Sequence, residues 1–203
     1  MTTPQNPTDP DAATADGTLT HVRADGTSHM VDVSAKDTTV REATASAALR
    51  TRADVVSRIA EGDLPKGEAL SVARIAGIMA AKRTADLVPL CHPLPLTGIE
   101  VDLTPTGDRV EITATVRTRA VTGVEMEALT AASVAALTLY DMIKAVDHLA
   151  VIEAVQVERK SGGKSGDWSR EDAAERAVDP MAAADPPTPD GPSSDPESRR
   201  PRP

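Results

Sequence analysis

The segment Lys160–Trp168, KSGGKSGDW, sets three glycines, two lysines and two serines in nine residues, directly after an apolar β-like run. Glycine lets consecutive N–H groups turn toward a ligand through positive φ, lysine adds mobile positive charge, and serine adds short hydroxyl donors. Such a loop is equipped to receive phosphate. It is not a Walker A nucleotide grip. With Gly163-Lys164-Ser165 as its end, G-x-x-x-x-G-K-[ST] needs a glycine where the chain has Glu158, and Gly166-Asp167-Trp168 leads into proline-rich sequence instead of a helix. The plain alternative is a flexible Gly/Ser linker.

Asp141 and Lys144 stand three residues apart, on one helical face and within ion-pair reach. They form either a surface salt bridge or an acid/base couple in which each charge tunes the other's pKa. Glu125 and Glu127 open the same helix, where the dipole favours acids. Glu127 and Asp141 are 14 residues apart, hence within about 40° of one helix face but about 21 Å apart along the axis. A small substrate that needs both must be shared between two copies of the chain.

Leu90-Cys91-His92-Pro93 offers a thiol and an imidazole. The single cysteine leaves no second zinc-ligand pair, and adjacent side chains seldom converge into a Cys-His nucleophile. His92, stiffened by flanking prolines, reads as a structural histidine or as a donor to a ligand. Lys66-Gly67 opens another helix, and Arg41 and Lys36 lie upstream. The helix dipole gives no favour to a lysine at its positive end, so an anionic ligand meeting that N-terminus explains Lys66, against the bland reading of an exposed turn lysine.

These residues need elements to hold them. Residues 19–33 read as two short extended pieces around the Asp25-Gly26 turn. Residues 38–51 are Thr/Ala-rich with ambiguous period. Arg52–Glu61 has helical spacing and stops at Gly62, and 67–83 forms a second helix. Pro89, Pro93 and Pro95 make 87–96 an ordered loop. Alternation at Ile99, Val101 and Leu103, and again at Val110, Ile112, Ala114 and Val116, predicts an antiparallel hairpin around Pro105–Asp108. A long Ala-rich helix over 125–147 and a strand over 150–158 follow. The order helix, strand, strand, helix, strand predicts an α+β fold, a ferredoxin-like antiparallel sheet packed against helices.

Composition bounds the remainder. The chain has 203 residues and net charge −9. Residues 1–17 and 169–203 are proline- and aspartate-rich and too poor in apolar surface to offset their ordering entropy, so both are expected to be disordered tails around a domain at 18–168. Each tail carries −3, which leaves −3 on the core. That mild charge, with 1% aromatic residues, argues against nucleic-acid binding. The lone Cys91, the absence of a signal sequence and the absence of a membrane-length apolar run predict a soluble cytoplasmic protein. Deleting residues 170–203 is expected to leave folding and turnover unchanged.

Four segments, THVRADGTSHMVDVSAK (20–36), KGEALSVARIAGIMAAKRTADLVPLCHPLPL (66–96), TGVEMEALTAASVAALTLYDMIKAV (122–146) and KSGGKSGDW (160–168), resemble in order the molybdenum cofactor biosynthesis protein C family, the cyclic pyranopterin monophosphate synthases. The resemblance implies a ferredoxin-like lyase assembled as a homohexamer, a trimer of dimers with active sites at the dimer interface. Its small-molecule substrate is a cyclic GTP-derived triphosphate, with no nucleic acid and no membrane involved. It implies catalytic roles for Asp141, Lys144 and Lys66, and substrate binding by Leu90, Cys91, His92, Met126, Glu127, Arg41, Lys160 and Lys164. No protein metal site and no cofactor are required, magnesium entering only with the triphosphate. Val121 departs from the pattern, standing where relatives are expected to carry lysine. The competing class is a non-catalytic nucleotide or polyphosphate sensor on the same scaffold, which would have no need of an Asp141–Lys144 pair.

Overall fold

Strand β1 (Thr39–Arg50) lies at the centre of the molecule, and its composition explains why its period is unreadable from sequence. Ala43, Ala45, Ala47 and Leu49 turn toward the helices, while Thr44 and Ala48 on the opposite face are buried as well. With both faces covered, the strand shows no apolar–polar alternation. The computed structural model describes residues 22–178 except Ala24 and Ser165. The tail expected at 1–17, and residues 179–203 of the one expected at 169–203, lie outside the described residues.

After β1 come α1 (Ala53–Glu61), α2 (Ala69–Ala81), a short α3 (Thr84–Leu87), the hairpin β2 (Leu96–Thr106) and β3 (Arg109–Ala120), α4 (Glu125–Ile143), β4 (Val151–Ser161), β5 (Trp168–Ser169) and α5 (Arg170–Val178). All neighbours in the sheet are antiparallel, in the order β2-β3-β1-β4-β5. Without the two-residue β5, this is the 4-1-3-2 order of a split βαβ fold, and the ferredoxin-like expectation holds. The predicted turn at Asp25-Gly26 is present, and among the described residues a single bridge, Val22 to Ser28, stands in place of the two expected extended pieces.

Helix α1 buries Val55, Val56 and Ile59 and ends at Gly62, whose left-handed φ of 72° closes the last turn. Helices α2 and α4 pack against each other through small residues. A Cβ on Gly77 would sit 2.9 Å from the Ala131 carbonyl oxygen and 3.3 Å from Ala135 Cβ, so a glycine in mid-helix is what allows the close approach.

Contrary to the expectation of no membrane-length apolar run, α4 is long and apolar enough to cross a bilayer. Here that apolarity lies in the protein core: Ala128, Ala131, Ala132, Ala135, Leu139 and Ile143 are buried against α2 and the sheet.

Two boundaries shift. Strand β4 runs to Ser161 and takes Lys160 out of the loop, and its pairing with β1 slips around Ala154, which adopts a left-handed φ of 53°. Such a bulge breaks the period of two. Residues 169–178, expected to belong to a disordered tail, instead form the end of β5 and then α5. The N-terminal turn of α5 is capped by the Ser169 hydroxyl, which accepts from the Asp172 N–H at 3.1 Å.

Candidate active site

Three chemically active side chains meet where α4 ends. Asp141 lies in the last turn of that helix and Lys144 at its C-cap, while Lys66 stands in the turn before α2. Lys66 Nζ donates to Asp141 Oδ2 at 2.6 Å and to the Asp141 carbonyl at 2.9 Å, and Lys144 Nζ lies 2.6 Å from Oδ1. Each carboxylate oxygen therefore has its own ammonium. Hydrogen bonds first from Lys144 and then from Lys66 hold the Asp141 carboxyl down to about 2, and the same carboxylate raises the pKa of Lys144. The anion that meets Lys66 is thus a side chain of this protein, together with the C-terminal end of a neighbouring helix.

A second cluster forms around the start of α4. Glu127 is 4% exposed, and burial, followed by the charge of Glu125, pushes its carboxyl up. Cys91 lies close enough that burial first and Glu127 second raise its thiol. Beside this pair Leu90 and Met126 remain exposed, large apolar groups flanking a buried carboxyl and a half-buried thiol. That is the usual make-up of a small-molecule site. His92 is committed within the chain: Nε2 donates to the Val31 carbonyl at 3.0 Å.

The glycine-rich turn rests on the start of β1. Gly162, Gly163 and Gly166 all adopt left-handed φ, and Gly162 N–H donates to Asp167 Oδ1 at 3.2 Å. A side chain on Gly162 would overlap the Val40 carbonyl, and one on Gly163 would overlap the Arg41 guanidinium. Arg41 is only 8% exposed, with Nε and Nη2 donating to the carbonyls of Ala120 and Val121 at 3.2 and 3.0 Å. It ties the turn after β3 to the glycine turn.

Lys160 Nζ lies 3.1 Å from Glu125 Oε1. Glu125 is therefore more than the dipole partner that its position suggests, and it makes no capping bond. Lys164 lies exposed in the turn itself.

The chain thus gathers Asp141, Lys144 and Lys66 at one end of α4, and Cys91, Glu127, Arg41 and Lys160 around the other. The two ends stay about 21 Å apart by helical rise, so one chain does not bring all eleven candidates together. The sequence reading gave Glu125 a helix-dipole role alone, and it assigned Ser169 and Arg170 to the tail. Glu125 was masked by its favourable place on the helix dipole, and only the tryptophan at the end of the glycine segment hinted at an ordered continuation.

The family model described as "MoaC family" matches residues 30–163. A cyclic pyranopterin monophosphate synthase of Corynebacterium efficiens is 65% identical over 151 residues, covering 74% of this chain and 97% of its own length. Cyclic pyranopterin monophosphate synthase 2 of Mycobacterium bovis is 60% identical over 154 residues, covering 76% and 92%. The Streptomyces coelicolor cyclic pyranopterin monophosphate synthase is 60% identical over 152 residues, covering 75% and 89%.

Proposed function

The chain belongs to the MoaC family, and on that premise we propose that it is a phosphorus–oxygen lyase of molybdenum cofactor biosynthesis. It converts (8S)-3′,8-cyclo-7,8-dihydroguanosine 5′-triphosphate to cyclic pyranopterin monophosphate and diphosphate in the cytoplasm. The observation that carries this reading is the Lys66–Asp141–Lys144 cluster, built from segments 75 residues apart. A protein that only bound polyphosphate would gain nothing from pairing two of its lysines with a carboxylate.

The reaction opens the imidazole ring of the purine, rebuilds a pyrazine, and closes a cyclic phosphate with loss of diphosphate. It needs protons delivered and removed at ring atoms, and positive charge on the leaving group. A carboxyl held at about 2 is a weak base at neutral pH, so Asp141 aligns the two ammonium groups, and these serve as the proton donors. Leu90 and Met126 supply apolar walls for the ring, with Cys91, His92 and Glu127 beside them. Lys160, Lys164 and Arg41 form the basic end that meets the triphosphate. Among the described residues no three His, Cys, Asp or Glu side chains converge into a metal cage. A magnesium ion travelling with the substrate would be held by the triphosphate's own oxygens.

Because the two clusters sit at opposite ends of α4, the site is completed between subunits in a homohexamer built as a trimer of dimers. An exposed apolar stripe on α2, formed by Val72, Ile75 and Met79 at helical spacing, supports such an assembly. The test is to supply the cyclic triphosphate and measure diphosphate release together with the fluorescent pterin formed on oxidation. Normal binding without turnover would leave the sensor reading in its place.

A further inference from the structure

Strand β5 is too short to hold itself. Only two residue pairs, Arg159 with Ser169 and Lys160 with Trp168, join it to β4. One of the residues it pairs is Lys160, assigned above to the triphosphate. β1 holds the inner edge of β4 at Lys160 through Ala43, and Glu125 meets its ammonium, but a frayed β5 would leave the outer edge there unpaired, and ordering it would then be a cost of every binding event.

The side chain that prevents fraying is Arg170, at the first position of α5. Its Nε donates to the Val157 carbonyl on β4 at 2.8 Å and lies 3.7 Å from Glu158 Oε2, and its guanidinium carbon sits 5.8 Å from the centre of the Trp168 ring. One residue thus ties the backbone of β4, a side chain of β4 and the partner strand together.

Cross-strand pairing places Trp168 on the same face of the sheet as Lys160, with side chains about 5 Å apart. Between Lys160 and Trp168 the hairpin turns through the left-handed glycines and rests there on Arg41. The hairpin that carries Lys160 and Lys164 is therefore pinned at its tip by Arg41 and at its base by Arg170. Arg170 lies outside residues 30–163, the span matched by the family model.

The geometry points to Arg170 as a positioning residue that acts through Trp168 and β5 to hold Lys160 where the leaving diphosphate binds. This rests on the lyase reading for its substrate, but its main readout is diphosphate affinity, which needs no turnover. Arg170→Ala removes the hydrogen bond to Val157 and the cation–π interaction with Trp168, which together come to about tenfold in affinity.

The experiment compares the full-length chain with Arg170→Ala and Arg170→Lys. It measures inorganic diphosphate affinity by calorimetry, KM and kcat with the cyclic triphosphate, and emission of Trp168, the only tryptophan in the chain. Arg170→Ala is expected to weaken diphosphate binding and raise KM about tenfold, with kcat within about twofold. Its emission shifts to the red, and Arg170→Lys recovers most of the affinity by keeping a cation over the ring.

Unchanged diphosphate affinity despite a shifted emission overturns the proposal. So does a parallel fall of kcat and affinity with melting temperature that Lys does not rescue. Should Arg170→Ala not fold, Trp168→Leu removes the ring beneath the guanidinium and must weaken diphosphate binding in the same direction, or the proposal fails. A wild-type protein that binds diphosphate but does not turn over the cyclic triphosphate sinks the lyase reading alone, and the affinities still decide the role of Arg170.

Discussion

A carboxylate gripped by two ammonium groups is a poor base and a good aligner, and Asp141 is gripped in this way at 2.6 Å on each oxygen. Asp141→Asn keeps the shape but removes the charge that orients both lysines. It is expected to lower kcat about 10²- to 10⁴-fold in the diphosphate-release assay; activity within a few-fold of wild type would mean that the carboxylate does not direct proton transfer. The pH dependence of stability follows from the same contact. The carboxyl is lowered from 3.8 to about 2 on folding, so its contribution is fully present above pH 3.8 and is lost as pH falls through 2. Between those limits the wild type should lose more stability than Asp141→Asn in urea melts. The group is exposed, so added salt should narrow the gap. An equal loss in both proteins would place the acid sensitivity elsewhere.

At the scale of elements, the separation between α2 and α4 sets the distance from Lys66 to Asp141, and Gly77 sets that separation. Alanine there would raise helix propensity by about 0.8–1 kcal/mol, but its Cβ would press on a backbone oxygen that has little room to yield, at an overpacking cost of about 1–3 kcal/mol. Overpacking wins. Gly77→Ala should lower the urea midpoint by the equivalent of about 1 kcal/mol and reduce activity, because Lys66 moves away with α2. A stabilised, fully active variant would show that the helix contact does not tune the site.

The hairpin β2–β3 was legible in the sequence because one of its faces is buried and the other carries polar residues, Thr115 alone of Glu111, Thr113 and Thr115 being buried, so Val110, Ile112, Ala114 and Val116 alternate cleanly. β1 was not, because Thr44 and Ala48 are buried on the face that should have been polar. The bulge at Ala154 hid the true length of β4, and with it the fact that Lys160 sits on a strand. α5 was hidden by composition: its residues are mostly charged, and among the described side chains it is Arg170 that anchors it. Deleting residues 170–203, expected from sequence to be silent, should therefore weaken diphosphate binding as Arg170→Ala does, whereas a cut after residue 178 should leave it intact.

At the scale of the whole molecule, the 19-residue α4 acts as a spacer with chemistry at both ends. If a site joins the Glu127 end of one chain to the Asp141 end of another, two variants that are each inactive can repair one another. Glu127→Gln is a suitable partner for Asp141→Asn, because glutamine keeps the shape of the buried side chain while removing the acid proton that a carboxyl can give up. In a mixed dimer one site receives both damaged ends and the other receives neither. Random mixing of the two variants through unfolding and reassembly should therefore restore about a quarter of wild-type activity, the share of sites with two intact ends in a two-fold interface. Sites contained within single chains would give no recovery at any mixing ratio. The outer stripe of α2 supplies an independent arm. Ile75, 59% exposed in the isolated chain, becomes buried if α2 meets another copy. Ile75→Glu would then place a charge in an apolar contact, and should lower the mass seen by light scattering while leaving the monomer's fold intact. Recovery by mixing together with dissociation by Ile75→Glu would locate the chemistry between subunits. An Ile75→Glu protein with full mass would move the contact to another face of the molecule, and the mixing result would then stand as the sole measure of whether the ends of α4 meet across chains.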